Sequence, residues 1–362
     1  MKYVDARGLT VFLKGLAQDY DVYAPRKVGE ELVLARVEPE QAQLGQGQRG
    51  QDQPGWAWNE HRLAESYKPF FFQTGKVVSR WTPDGPQSGA PPRPRALLGV
   101  KACDLKALQV IDKVFRDHEF KEPAWCAARD ANLVIAGDCT GCADSCFCTL
   151  LGDNPWADGG YDLSLAPTNG GYLVAVGSEK GEAQLAAQAT LFREAPAGAV
   201  EAREEARSEL KARLESLNAK HRTHDPLATS VAKNLKTRIW GKLAATCVQC
   251  NACNLVCPTC HCFLLHDVKT PDGSARLSMW DSCFHSGYAR MAGGGTPRLQ
   301  LTERFKNHYF HKFVSFPENW GITACSGCGR CIDACMGRID KRECLYRLET
   351  EWLPSEVLEE IS

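Results

Sequence analysis

The first part of the chain alternates short apolar runs with segments of helical periodicity. Residues 96–100 (ALLGV) and 132–137 (NLVIAG) are apolar runs of strand length. Between them, residues 105–115 (LKALQVIDKVF) repeat apolar positions at helical spacing, and Asp104 is placed to cap that helix. Strands that alternate with helices are typical of an α/β domain, which we predict for residues 1–198.

The later segments differ in composition from this domain. Residues 40–55 are rich in Gln and Gly and are predicted to form a mobile loop. Residues 199–219 combine Ala with both charge signs at helical spacing, which predicts an exposed connecting helix within a linker over 199–226. Apolar side chains recur at every fourth position of residues 227–246, so we predict a helix that leads to the next cysteine.

Charge and composition narrow the class of protein. Lys plus Arg (43) nearly cancels Asp plus Glu (44), the net charge is -1, and the chain has no long basic run, so nucleic acid and anionic membrane are not expected partners. We expect a cytoplasmic protein, because the chain has neither an export signal nor an apolar stretch of about 18 residues. In that reducing compartment the 18 cysteines are expected to serve metals or redox chemistry rather than disulfides.

A cysteine motif typical of [4Fe-4S] ferredoxins occurs twice in the last third of the chain. The spacing C-x2-C-x2-C-x3-C is found at Cys247, Cys250, Cys253 and Cys257, and again at Cys325, Cys328, Cys331 and Cys335. Pro258 follows the first motif, whereas Met336 stands at the same place after the second. Proline there only shapes the exit turn, so its absence does not remove a ligand.

The doubled motif predicts how two clusters would share their ligands. In two-cluster ferredoxins the last cysteine of each motif binds the other cluster. We therefore predict cluster I on Cys247, Cys250, Cys253 and Cys335, and cluster II on Cys325, Cys328, Cys331 and Cys257. A pair of zinc sites is the alternative, but zinc usually takes two cysteine pairs separated by a longer loop.

The connection between the motifs, residues 258–324, is too long for a compact ferredoxin. We therefore predict an α-helical dicluster ferredoxin domain over residues 227–362, and an α+β fold for the whole chain. Four cysteines in this domain lie outside both motifs and are predicted to be buried thiols: Cys260, Cys262, Cys283 and Cys344.

A further group of cysteines lies in the amino-terminal domain. Cys139, Cys142, Cys146 and Cys148 form C-x2-C-x3-C-x-C, and Cys103 follows the neighbouring predicted strand, so its loop can meet that of Cys139. We predict a third iron-sulfur cluster whose ligands are Cys103, Cys139, Cys146 and Cys148, with Cys142 as the surplus thiol or alternative ligand. A zinc site or a set of reduced thiols is the alternative.

Several stretches together resemble one family: GVKACDLKALQVIDKVF, DCTGCADSCFCTLLG, CVQCNACNLVCPTCHCF, MWDSCF and HKFVSFPENWGITACSGCGRCIDAC. They are similar to the iron-sulfur beta subunit of cytosolic hydrogenase/sulfur reductase (sulfhydrogenase) complexes and to the related A subunit of anaerobic sulfite reductase. The resemblance runs in order over residues 60–345, and Cys142 and Met336 depart from the family pattern. It implies an electron relay between a flavin subunit that handles NAD(P)H and a catalytic module, which is a hydrogenase, a sulfite reductase or a heterodisulfide-reductase-like assembly.

The residues themselves favour an electron-transfer role over catalysis. Neither G-x-G-x-x-G after a strand nor a P-loop motif occurs, so flavin and nicotinamide are expected on another chain. No nucleophile signature such as G-x-S-x-G is present. Four basic residues lie beside the second motif: Arg330, Arg338, Lys341 and Arg342. They either stabilise a reduced cluster, or are solvated charges or contacts to a partner.

Two other classes of function stay open. The chain is itself a sulfur or disulfide reductase if a cluster or the spare thiols Cys260, Cys262 and Cys283 react directly with polysulfide or a disulfide. It is a scaffold without redox activity if the cysteines bind zinc.

Overall fold

The computed structural model describes residues 1–29, 31–37, 60–83, 85–87 and 93–351. The predicted loop over residues 40–55 lies outside these ranges. Among the residues that the structure describes, no helix combines the length and the apolar character needed to span a bilayer.

The described residues form strands and helices in mixed order. The strands are β1 (Lys2–Asp5), β2 (Asp21–Val28), β3 (Glu31–Arg36), β4 (Lys76–Thr82), β5 (Gly85–Gln87), β6 (Arg95–Val100), β7 (Leu133–Gly137), β8 (Leu163–Thr168), β9 (Gly171–Val176), β10 (Arg193–Glu194), β11 (Phe263–Thr270) and β12 (Gly273–Trp280).

The α-helices are α1 (Ala6–Asp19), α2 (Ala102–Phe115), α3 (Pro123–Ala131), α4 (Glu179–Ala187), α5 (Ala199–Leu217), α6 (Leu227–Lys233), α7 (Ile239–Leu243), α8 (Ala252–Leu255), α9 (Leu301–Phe310), α10 (Phe316–Trp320), α11 (Arg330–Asp333) and α12 (Lys341–Thr350). Shorter 3-10 turns lie at Lys68–Phe70, Cys148–Leu151, Ala189–Leu191 and Ala219–His221, and a π-helical segment lies at His311–Ser315.

The chain packs as two compact units. The first comprises Met1–Phe71 with Pro91–Leu217, and the second Phe72–Ala90 with Asn218–Ser362. These bounds differ from the predicted domains in two ways. Helix α5, which we predicted as a linker, belongs to the first unit because Leu210 and Leu214 are buried there. The segment after Phe71 belongs to the second unit because β4 pairs with β12.

Within its described residues, the first unit is built on an eight-stranded sheet of order β10-β1-β9-β8-β7-β6-β2-β3. The four central strands β8, β7, β6 and β2 are parallel. The strands outside them pair antiparallel. Strands β6 and β7 confirm the two predicted apolar strands, and both are buried along nearly their whole length. The core of this unit includes Leu9, Phe12, Leu13 and Leu16 of α1, whose i, i+3, i+4, i+7 spacing puts them on one helix face.

The parallel pairing of β6 with β7 determines where the cysteine-bearing loops begin. Because parallel neighbours end at the same edge of a sheet, Cys103 and Cys139 both follow carboxyl ends at that edge. Helix α2 begins at Ala102, three residues earlier than predicted, and Lys101 is its N-cap. The prediction that Asp104 caps this helix was therefore wrong, and Asp104 lies in its first turn.

In the second unit the connection between the two motifs is only partly helical. Its first half is a hairpin of β11 and β12, to which β4 and β5 add in the order β11-β12-β4-β5. The sequence signals the hairpin through the turn residues Pro271 and Asp272 before Gly273, whose φ of 151° is accessible to glycine. Our prediction of an α-helical arrangement between the motifs did not include this hairpin.

The predicted helix over residues 227–246 is interrupted. Helix α6 ends at Lys233 and α7 begins at Ile239. Asn234 stabilises the break, because its Nδ2 donates to Ser230 O and Leu348 O, and its own carbonyl accepts from Trp240 Nε1 at 2.7 Å. The chain still reaches Cys247 directly after a helical segment.

Candidate metal centres

The two cysteine motifs fold into loops with the same backbone pattern. In the first motif, Gln249 and Asn251 have φ values of 56° and 63°. In the second, the equivalent positions Gly327 and Gly329 have φ values of 61° and 75°. A short helix follows in each case, α8 after Asn251 and α11 after Gly329. The sequence repeat is therefore also a repeat of local structure.

This backbone aims amide hydrogens at sulfur. The N–H of Gln249 donates to the sulfur of Cys247, and the N–H of Gly327 donates to that of Cys325. A left-handed conformation costs a non-glycine residue roughly 1–2 kcal/mol. The first loop therefore needs stabilising contacts to offset this cost, and the second loop, with glycines, does not. Arg304 Nη2 supplies one such contact by donating to Gln249 Oε1 at 2.7 Å.

The structure brings the four residues predicted for cluster I around one pocket. Cys247, Cys250, Cys253 and Cys335 all line it, although Cys335 comes from the other motif. Cys331 also reaches this lining, which aromatic side chains of α9 complete. The N–H of Ile339 donates to Cys335 Sγ at 3.2 Å. The reciprocal exchange of the last cysteine is thus compatible with the fold.

The electrostatics of this group suit a cationic centre. The pKa of the Cys253 thiol is raised to about 12, chiefly by burial, with Lys341 opposing the increase and Cys335 and Cys247 adding to it. Neighbouring thiols of raised pKa resist ionisation, because their negative charges would repel each other. They become thiolates when iron supplies positive charge. The donor set therefore fits an iron-sulfur cluster.

The residues predicted for cluster II also converge. Burial raises the pKa of Cys331 well above its ordinary value, and the nearby Cys257, Cys328 and Cys325 add to this effect. Ser326 Oγ is buried and has no hydrogen-bond partner among the described residues. A bound group that accepts a hydrogen bond would satisfy this hydroxyl, so the second site also fits a cluster.

Sequence reasoning gave no role to Lys312, which lies beside the second site. This residue is 4% exposed and stands on the π-helical segment His311–Ser315, a feature frequent at functional sites. Its Nζ donates to Thr259 Oγ1 at 2.8 Å and to Ala324 O at 3.0 Å, and lies 3.6 Å from Cys257 Sγ. Burial lowers its pKa, but the thiolate of Cys257 and its neighbours reverse this, and the pKa is raised well above the ordinary value.

The basic residues near the second motif have different environments. Arg342 forms an ion pair with Asp340 at 2.7 Å, and Arg338 is exposed. Arg330, Lys341 and Arg342 are buried, at 1%, 6% and 8% exposure. The alternative of solvated charges is therefore wrong for these three residues.

The positive charge of Lys341 acts on cysteines of both motifs. It lowers the pKa of Cys253 in the first motif and of Cys331 in the second, against the larger effect of burial. Its Nζ lies 2.8 Å from His308 Nε2 and 4.5 Å from the centre of the Tyr309 ring. A buried cation shared by two sites would favour the reduced state of each.

The amino-terminal cysteines form a separate group in the first unit. Burial raises the pKa of Cys139 to about 11, with Lys101 opposing and Cys146 adding to the increase. Cys139 and Cys146 likewise raise the pKa of the half-buried Cys148, after the larger effect of burial. Cys142 packs against the same cluster of side chains as Cys139 and Cys148. Burial raises its pKa, with Arg213 opposing and Asp144 adding to the increase. Which of these thiols is surplus stays a prediction.

Two further features fit a bound group at this third position. Lys101 is buried, its Nζ donates to Asp138 O at 3.1 Å, and its charge interacts with both Cys139 and Cys103. Thr149 Oγ1 is buried without a hydrogen-bond partner among the described residues. Thr149 immediately follows Cys148, so a group bound to these cysteines would accept a hydrogen bond from the Thr149 hydroxyl.

The four spare thiols of the second unit do not all match the prediction. Cys344 is buried at 4% exposure, as expected. Cys260, Cys262 and Cys283 are half-buried, so the prediction of buried thiols was wrong for these three.

The chain is similar to a known domain family and to a known protein. Residues 246–339 match the model of the 4Fe-4S dicluster domain. The Sulfhydrogenase 2 subunit beta of Pyrococcus furiosus is 32% identical to this chain over 246 residues, which are 67% of this chain and 71% of that protein.

Proposed function

Because the chain belongs to the family of sulfhydrogenase beta subunits, we propose that it is an electron-transfer subunit that works through two [4Fe-4S] clusters. It relays electrons between a flavin subunit that oxidises NAD(P)H and a catalytic module. That module is a hydrogenase, a sulfite or sulfur reductase, or a heterodisulfide-reductase-like assembly. The flavin and the nicotinamide bind to the other subunit.

The observation that carries the proposal is the matched pair of cysteine loops. Each loop presents three cysteines through the same left-handed backbone pattern, and Cys335 of the second motif lines the pocket of the first. We assign Cys247, Cys250, Cys253 and Cys335 to cluster I, and Cys325, Cys328, Cys331 and Cys257 to cluster II. When bound, such clusters accept and donate single electrons.

The chain's own residues would adjust the clusters to this task. Amide hydrogens from Gln249, Gly327 and Ile339 point at ligand sulfurs. The buried ammonium groups of Lys312 and Lys341 lie in the same region. Hydrogen bonds and positive charge both stabilise a reduced cluster, and burial excludes the water that would screen them.

The third group of thiols supports a third iron-sulfur centre as the finer part of the proposal. We assign its ligands to Cys103, Cys139, Cys146 and Cys148. The support is the mutual influence of the last three thiols and the nearby buried Lys101.

Paired cysteine variants test the ligand assignment. The protein is prepared anaerobically, iron and acid-labile sulfide are measured, and electron paramagnetic resonance (EPR) spectra are recorded after reduction. Cys250→Ser and Cys335→Ser should alter the same signal, and Cys328→Ser and Cys257→Ser should alter the other. Cys126→Ser is the matched control, because this half-buried thiol lies in the first unit and donates to Phe115 O.

Other results would contradict specific parts of the proposal. If Cys335→Ser changed the signal that Cys328→Ser changes, the exchange of the last cysteine would be wrong. Stoichiometric zinc without acid-labile sulfide would refute the electron-transfer role.

A second experiment addresses the partners. Anaerobic isolation of the native protein, with each co-purifying chain identified by mass, should recover a flavoprotein together with a hydrogenase or reductase chain. Recovery of the chain alone, with reductase activity of its own, would contradict the relay.

A further inference from the structure

Two of the spare thiols lie side by side in the second unit. Cys262 precedes β11 and Cys283 follows β12, and the N–H of Asp281 donates to Cys262 O at 2.9 Å, which continues the pairing of the hairpin. The hairpin thereby brings the two cysteines together across twenty-one positions of sequence. Their thiols are hydrogen-bonded to each other, and the N–H of Cys283 also donates to the sulfur of Cys262.

The surroundings of the pair are polar and directed at sulfur. Asn254 Nδ2 donates to Cys283 Sγ at 3.4 Å, and Tyr288 forms a hydrogen bond with Cys262. His308 Nδ1 lies 3.8 Å from Cys283 Sγ. Because His308 Nε2 accepts from Lys341, the hydrogen of this ring is on Nδ1 and points to the sulfur. Both cysteines are half-buried, so part of each residue stays exposed to solvent.

We propose that Cys262 and Cys283 are a redox-active thiol pair that reduces the S–S bond of a small organic disulfide and closes to an intramolecular disulfide. Neither cysteine belongs to the ligand sets of the proposed clusters. The pair therefore adds a two-electron site to a chain whose other centres transfer single electrons.

The hydrogen bonds distinguish the two thiols chemically. The bond from Cys283 lowers the pKa of Cys262, whereas the same bond raises that of Cys283. We assign the attack to Cys262, because the thiol and the N–H of Cys283 both donate to its sulfur and Cys283 holds the shared proton.

The reaction balances in two exchange steps. The Cys262 thiolate attacks one sulfur of the small disulfide, forms a mixed disulfide and releases the first thiolate. Cys283 loses its proton and attacks the Cys262 sulfur, which closes the Cys262–Cys283 bond and releases the second thiolate. The two released thiolates take up one proton from Cys283 and one from solvent. Two electrons have passed from the pair to the small disulfide.

Return to the dithiol requires two electrons and two protons. That these electrons come from iron-sulfur centres on the same chain rests on the proposed function. The contacts favour this source, because Asn254, which donates to Cys283, belongs to helix α8, as does Cys253 of the first motif. His308 and Lys341 form a second hydrogen-bonded connection between Cys283 and the cluster region.

The first test is chemical trapping, which does not depend on turnover. The reduced full-length protein is treated anaerobically with one equivalent of 2-hydroxyethyl disulfide, alkylated and digested without reductant. Mass spectrometry should find the two peptides joined through Cys262 and Cys283, with two hydrogens lost. In Cys283→Ser the mixed disulfide should accumulate on Cys262. A wild-type protein without the joined peptide, or a variant without the adduct, would overturn the proposal.

The second test separates this site from the clusters. After reduction with dithionite and removal of excess reductant, 2-hydroxyethyl disulfide should reoxidise the EPR signals, and Cys262→Ser should slow this by at least about tenfold. Cys126→Ser should react at the wild-type rate. An unchanged rate in Cys262→Ser would refute the pair as the route of electrons. A joined peptide in a protein that never shows iron-sulfur signals would instead refute the proposed function.

Discussion

Replacing Lys312 by Met should lower the reduction potential of cluster II. Lys312 Nζ lies 3.6 Å from Cys257 Sγ and is 4% exposed. At that separation and an effective dielectric constant of about 20, one unit charge contributes about 5 kcal/mol. The charge of an added electron is shared across the whole cluster, so we take roughly half, about 2 kcal/mol. For the transfer of a single electron, this energy corresponds to a decrease of about 90 mV in the reduction potential of cluster II.

The measurement is a redox titration of the anaerobically prepared protein, followed by EPR. Met has nearly the length of the lysine chain, so the change chiefly removes the ammonium group and its bonds to Thr259 and Ala324. Lys306→Met is the matched control, because this residue lies on α9 but is half-exposed, where solvent screens its charge. A shift below about 20 mV in Lys312→Met, or an equal shift in the control, would refute the electrostatic argument.

Three shorter predictions concern other parts of the chain. Gly329→Asn should keep its cluster, since Asn251 adopts the same left-handed conformation in the first loop. Gly329→Val should lower the free energy of unfolding of the loaded protein by about 1–2 kcal/mol. Denaturant titration compares the two variants, and equal losses of unfolding free energy would contradict the argument. Cys139→Ser should lower the iron content per chain, and Cys142→Ser should leave it unchanged; a loss in both would exclude Cys142 as the surplus thiol. Asp5→Ala removes the side-chain cap of α1 and should cost about 1 kcal/mol in thermal unfolding; an unchanged melting temperature would contradict this.

Local patterns sufficed for the parts of the fold that short segments determine. Strands β6 and β7 were predictable because a strand buried on both faces needs an unbroken apolar run. Their neighbouring ends then place Cys103 and Cys139 at one edge of the sheet. The doubled cysteine motif similarly predicted which thiols gather, because the chemistry of a cluster restricts the spacing of its ligands.

Long-range packing decided what the sequence could not show. Lys312 lies in a helical stretch, where a single lysine is usually solvated, and only the folded chain brings Cys257 and Ala324 to its ammonium group. The pairing of β4 with β12 joins segments about two hundred residues apart, and no local pattern encodes that partner.

The long connection between the motifs has a structural task beyond separating them. Its residue Arg304 stabilises the left-handed Gln249, and its Ser282 Oγ donates to Asn251 Oδ1 at 2.9 Å. Lys312, from the same connection, lies against Cys257. The first loop has Gln and Asn where the second has glycines, so it depends on these contacts while the second loop does not. We therefore infer that the connection is long because it completes the surroundings of the first motif, a role that a short ferredoxin turn cannot fill.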